Sequence, residues 1–113
     1  MKITYKSKQI SLKVKKVSLF GKVKGLMFSR RENAKILLFE FSNPIKNPIH
    51  SLFCPEFLAI WLDNKNRVLE KKQVSPWKLS IIPKQKFNKL IEIPLNYSNQ
   101  KILKLFDEDA KSL

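Results

Sequence analysis

The chain has 113 residues, 23 Lys+Arg against 9 Asp+Glu, a formal charge of +14, 43% hydrophobic residues, 6 Pro and 2 Gly. That length suits one domain, and 8 Phe, 2 Trp and 2 Tyr exclude a disordered polyelectrolyte. No apolar run approaches the roughly 18 residues of a bilayer span, and one cysteine, Cys54, with one histidine, His50, excludes both an internal disulfide and a closed Cys/His zinc site.

Along the chain, Ile3 and Tyr5 alternate with Lys2, Thr4 and Lys6, and Ile10, Leu12 and Val14 alternate with Gln9, Ser11, Lys13 and Lys15. Both stretches have the period of half-buried strands, and the break at Ser7-Lys8 predicts an antiparallel hairpin whose outer face carries lysines. This alternating start is not the continuous apolar core of a signal peptide, so a cytoplasmic location is expected. Gly21 and Gly25 bracket Lys22-Val23-Lys24 and predict a tight loop or short helix, followed by the apolar plug Leu26-Met27-Phe28.

Residues 34–41 have the composition of a central strand that Asn43-Pro44 and Asn47-Pro48 should end. Further strands are predicted over 49–53, 57–62, 67–74 and 87–93, the third and fourth of these five joined by a turn at Asp63-Asn64-Lys65-Asn66. From Asn96 or Ser98 the spacing of Ile102, Leu103, Leu105 and Phe106 predicts a short amphipathic helix. The acidic run Asp107-Glu108-Asp109 opposes the helix dipole, so residues 107–113 should fray. The sum is a single mostly β (α+β) domain over residues 1–113: an antiparallel β-barrel-like or folded-sheet arrangement with one or two short helices.

Charge is unevenly placed. Residues 1–31 hold ten basic side chains and no acid, whereas the other 82 residues hold 13 basic and 9 acidic ones. Such an excess attracts polyanions. Lysine outnumbers arginine 20 to 3, which favours phosphate contact over the bidentate reading of bases. The expected surface comprises Lys13, Lys15, Lys22, Lys24, Arg30 and Arg31, and the expected partner is RNA or a ribonucleoprotein.

Several blocks, in order, carry a family likeness: Gly25-Leu26-Met27-Phe28-Ser29-Arg30, Leu37-Leu38-Phe39 with Phe41, Ile49-His50, Ile60-Trp61-Leu62-Asp63 with Val68, Pro76-Trp77, and Ile91-Glu92-Ile93-Pro94. Across about residues 9–95 the chain resembles the domain of unknown function numbered 192. The resemblance implies a small β-rich domain of the archaeal stand-alone kind, with no established activity. The chain departs from the family's pattern at Glu56-Phe57-Leu58-Ala59, where members carry an aspartate, and at its end, where members close on a Gly-Asp pair.

Chemistry is sparse. His50 and Cys54 lie four residues apart, and a thiolate pair or open metal site would need a third group from elsewhere. Free Cys is commonly a buried small apolar residue. Trp77, beside Pro76, could line a pocket with them, while Trp61 at a strand position should fill the core. Asp63, Glu70 and Glu92 fall on separate segments with no sign of convergence, and neither glycine fits a nucleotide-binding loop. The expectation is a non-enzymatic binding module with no catalytic residues, metal or cofactor. The alternative is a small-ligand or catalytic pocket near His50, Cys54 and Trp77.

Overall fold

The computed structural model describes residues 1–17, 35–46, 56–75 and 80–107. The predicted strand over 49–53 and the segment around Gly21 and Gly25 lie outside them.

Strands β1 (Lys2–Tyr5) and β2 (Lys8–Ser11) form an antiparallel hairpin. Its two-residue turn is Lys6-Ser7, one residue earlier than expected. Both residues take left-handed φ, 51° and 66°, the hand that matches strand twist in a tight hairpin. Met1 and Leu12 extend the ladder, since the Leu12 N–H donates to the Met1 carbonyl (2.8 Å) and the Met1 amine to the Leu12 carbonyl (3.0 Å).

The remaining strands are β3 (Lys15–Lys16), β4 (Leu37–Ile45), β5 (Phe57–Leu62), β6 (Val68–Val74) and β7 (Phe87–Pro94), arranged as one sheet in the order β3-β4-β7-β5-β6. Among the described residues β3 and β6 are its edges, and the sheet is not closed into a barrel. It is also mixed, because β3 runs parallel to β4 while the other pairs are antiparallel. The predicted strand over 9–15 is therefore two elements: once Leu12 has closed the hairpin, the chain crosses to the far edge, where the Lys15 and Val17 N–H groups donate to the Ile36 and Leu38 carbonyls.

Strand β4 continues through Asn43-Pro44, where an end was expected. Its register against β7 shifts between Glu40 and Ile45, and an irregular stretch of ladder accommodates a proline that has no N–H to donate.

Strand β5, Phe-Leu-Ala-Ile-Trp-Leu, is buried on both faces, which explains its unbroken apolar run. On one face Leu38, Leu58, Ile60, Leu62, Ile91 and Ile93 pack with Ile3, Ile10 and Leu12 of the hairpin and with Phe106. On the other, Leu37, Phe39, Phe57, Ala59, Trp61, Val74, Ile81, Phe87 and Leu90 form a second cluster. After β7 come a 3-10 turn over Tyr97–Asn99 and helix α1 (Gln100–Lys104). Asn96 organises this entry, its side-chain oxygen accepting from the Asn99 N–H (3.0 Å) and the Ser98 hydroxyl (2.9 Å). Leu105 is not on the packed side but 51% exposed, and Phe106, with Ile102 and Leu103, holds α1 to the sheet. Among the described residues no helix is long and apolar enough to cross a membrane.

Candidate nucleic-acid interface

In the hairpin, Ile3 faces Ile10 across the strands and both are buried, so Lys2, Thr4, Gln9 and Ser11 point outward. The lysines do not line this outer face as expected. They gather at its ends: Lys6 and Lys8 at the turn, Lys2 at the start of β1, and Lys13, Lys15 and Lys16 on the way to and along the edge strand β3. All six are exposed. Lys16 is held by Glu40 at 2.9 Å, and Lys89 lies 3.9 Å from the same carboxylate. Lys2, Lys8, Lys13 and Lys15 make no ion pair among the described residues. Of the expected surface, Lys13 and Lys15 are thus exposed near one sheet edge, while Lys22, Lys24, Arg30 and Arg31 lie outside the described residues. So do His50, Cys54 and Trp77 of the alternative pocket.

What positions the hairpin is the β5–β6 turn. Asn66 adopts φ 62°, a conformation asparagine tolerates better than most residues. From there its carbonyl accepts from the Thr4 N–H (2.9 Å), its amide donates to the Lys2 carbonyl (3.2 Å), and its side-chain oxygen accepts from the Lys89 ammonium. This turn therefore locks strand β1 against the sheet. Asp63 stabilises the same turn: one carboxylate oxygen accepts from the Lys65 and Arg67 N–H groups (both 2.9 Å), and the other from the Arg67 guanidinium (2.6 Å). Partial burial pushes the Asp63 carboxyl up, but these hydrogen bonds outweigh it and hold it below the usual 3.8. A depressed folded value stabilises the fold above pH 3.8, and that contribution is lost as pH falls through the folded value. Asp63→Ala removes all three bonds at a partly exposed site and is expected to cost about 1–2 kcal/mol. Urea unfolding at pH 7 measures this, and the deficit should shrink at pH 3.

The three acids weighed in the sequence do not meet in a common site among these contacts. Asp63 serves its turn, and Glu70 on β6 accepts from the Lys84 N–H at 2.8 Å. Glu92 stands in the middle of β7 with Leu37 and Ala59 as its cross-strand neighbours. Strand alternation sends its side chain to the second apolar cluster, where it is 8% exposed. Burial pushes this carboxyl up to about 8. Trp61, fully buried as expected, lies on the same face, and its indole N–H has no partner among the described residues. Glu92 was not legible as buried, because one acid within Leu-Ile-Glu-Ile-Pro reads equally as the polar face of an alternating strand. Among the described residues no three His, Cys, Asp or Glu side chains are grouped to hold a metal.

No family model matches the chain, and no curated protein does. Two crystal structures share its fold. One is a protein of unknown function from Novosphingobium aromaticivorans DSM 12444, at 15% identity with a TM-score of 0.67, matched over 89% of this chain and 75% of that one. The other is a candidate transcription regulator from Sinorhizobium meliloti 1021, at 19% identity with a TM-score of 0.69, matched over 91% and 82%. At such identities the likeness is one of fold.

Proposed function

We propose that this protein is a non-enzymatic binding module whose basic N-terminal surface contacts a polyanion, namely RNA or a ribonucleoprotein. The observation that carries the reading is the set of exposed lysines brought to the ends of the hairpin and to strand β3, four of them without an ion pair among the described residues. A charged surface of one sign binds phosphates by releasing counterions and needs no catalytic group. The fold shared with a candidate transcription regulator supports a nucleic-acid partner. The reading includes membership of the domain of unknown function 192. The blocks at 37–41, 60–63 and 91–94 fall on or beside the neighbouring strands β4, β5 and β7, in keeping with that likeness.

The test is fluorescence anisotropy with labelled single-stranded RNA, duplex RNA and a sulfated polysaccharide over about 50 to 300 mM salt. RNA should bind with a steep salt slope and clearly better than the polysaccharide. Replacing Lys13, Lys15, Lys22 and Lys24 with Gln should leave the fold intact and lower the log–log slope for single strands by about 3, since each phosphate contact contributes about 0.7. Unchanged affinity in this variant overturns the proposed surface.

A further inference from the structure

Lysines from three distant parts of the sequence converge beside the hairpin, at a place the charge count of the chain does not single out. The Tyr5 ring packs against Phe106, centroids 5.2 Å apart, and two ammonium groups approach it: Lys6 at 5.6 Å from the turn and Lys71 at 6.0 Å from β6. Such cation–π contacts hold flexible lysines near an aromatic surface. Next to this cluster a groove of about 370 Å³ opens between β6 and α1. Leu58, Leu103 and Phe106 contribute apolar surface to it, and Lys71, Lys72 and Lys104 line it with Asp107. The three lysines make no ion pair among the described residues.

We propose that this groove seats a single strand of nucleic acid, with one base on the apolar floor and the flanking phosphates on Lys71, Lys72 and Lys104. The proposal rests on the polyanion reading and says where and in what form the partner binds. Two features favour a single strand. A concave site of this size takes a single unstacked base, whereas a duplex presents its phosphates across a broad convex surface and keeps its bases stacked inside. An apolar floor with lysines around it also combines apolar contact to a base with neutralisation of the backbone. Lys71 both lines the groove and lies over the Tyr5 ring that Lys6 of the hairpin turn also approaches, so one strand would run from the turn into the groove.

The experiment compares wild type, the triple variant Lys71→Gln, Lys72→Gln, Lys104→Gln, and the N-terminal variant described above. Each is titrated with a labelled single-stranded RNA hexamer and with a duplex, and circular dichroism confirms that the exposed substitutions leave the fold intact. The triple variant should bind the hexamer at least about tenfold more weakly, with the salt slope lowered by about 2, and should lose less on the duplex. In wild type the hexamer should shift the amide resonances of Gln73, Gln100 and Lys104. Hexamer affinity unchanged in the triple variant, together with loss in the N-terminal variant, overturns the groove and leaves the polyanion reading standing. Equal losses on hexamer and duplex overturn the single-strand assignment. Failure of wild type to bind any RNA overturns both.

Discussion

Glu92→Gln is expected to raise stability at alkaline pH while changing it little at pH 5. The side chain enters the second apolar cluster from the central strand, and burial pushes its carboxyl from 4.5 to about 8. The folded chain therefore holds a proton that the unfolded chain releases, and stability falls with rising pH wherever the native state binds more protons. Below pH 4.5 both states are protonated and nothing is lost. Between 4.5 and 8 stability declines by about 1.4 kcal/mol per pH unit, and above 8 the loss is complete. Against a typical total of about 5–15 kcal/mol this is a large liability.

No compensating cation pairs with Glu92 among the described residues. Across the sheet its register row reads Lys15, Leu37, Glu92, Ala59, Lys72, so both lysines sit on edge strands, two strand spacings or roughly 10 Å from β7. Glutamine keeps the shape and cannot ionise. The difference in urea midpoint between variant and wild type, followed from pH 5 to 9, should grow steadily in favour of the variant. A difference that stays constant across that range would show that the carboxyl is not raised.

Trp61→Ala is expected to cost about 3–5 kcal/mol, the range for removing a large buried aromatic. Trp61 is fully buried at the centre of the second cluster and meets Phe87 edge-on, centroids 6.5 Å apart at 70°. Its indole N–H has no partner among the described residues, and burying a donor unpaired costs about 1–3 kcal/mol. Trp61→Phe removes that donor while keeping an aromatic ring against Phe87. The lost volume and the relieved donor largely offset each other, so this variant should stay within about 1.5 kcal/mol of wild type. Urea unfolding of the two variants separates packing from hydrogen bonding. Equal costs for Phe and Ala would mean that the indole N–H makes a bond on which the core depends.

Strand β5 was legible because burial on both faces demands an unbroken apolar run, β7 as a short mixed apolar stretch closed by Pro94, and the β5–β6 turn because Asp63 and Asn66 suit its hydrogen bonds and its left-handed position. The hairpin was legible from the alternation around Ile3 and Ile10, although its turn sits one residue early at Lys6-Ser7, which no glycine or asparagine marks. Strand β3 was not separable from β2, since Lys13 and Lys15 continue the same alternation and only parallel pairing with Leu37 and Leu38 distinguishes them. Leu105 departs from the expected apolar face because α1 ends at Lys104, and the turn that follows does not keep the helical spacing.

Local patterning and charge thus determine, from sequence alone, a mostly β domain with a lysine-rich first segment, Trp61 in the core and a turn at residues 63–66. These properties depend on neighbours along the chain and on side-chain chemistry. The tertiary structure decides the rest: which edge β3 joins, the burial of Glu92 between Leu37 and Ala59, the meeting of Lys6 and Lys71 at the Tyr5 ring, and the groove that Lys71 shares with Lys104. Each of these depends on residues tens of positions apart being brought within a few ångströms, and neither periodicity nor net charge carries information about that distance.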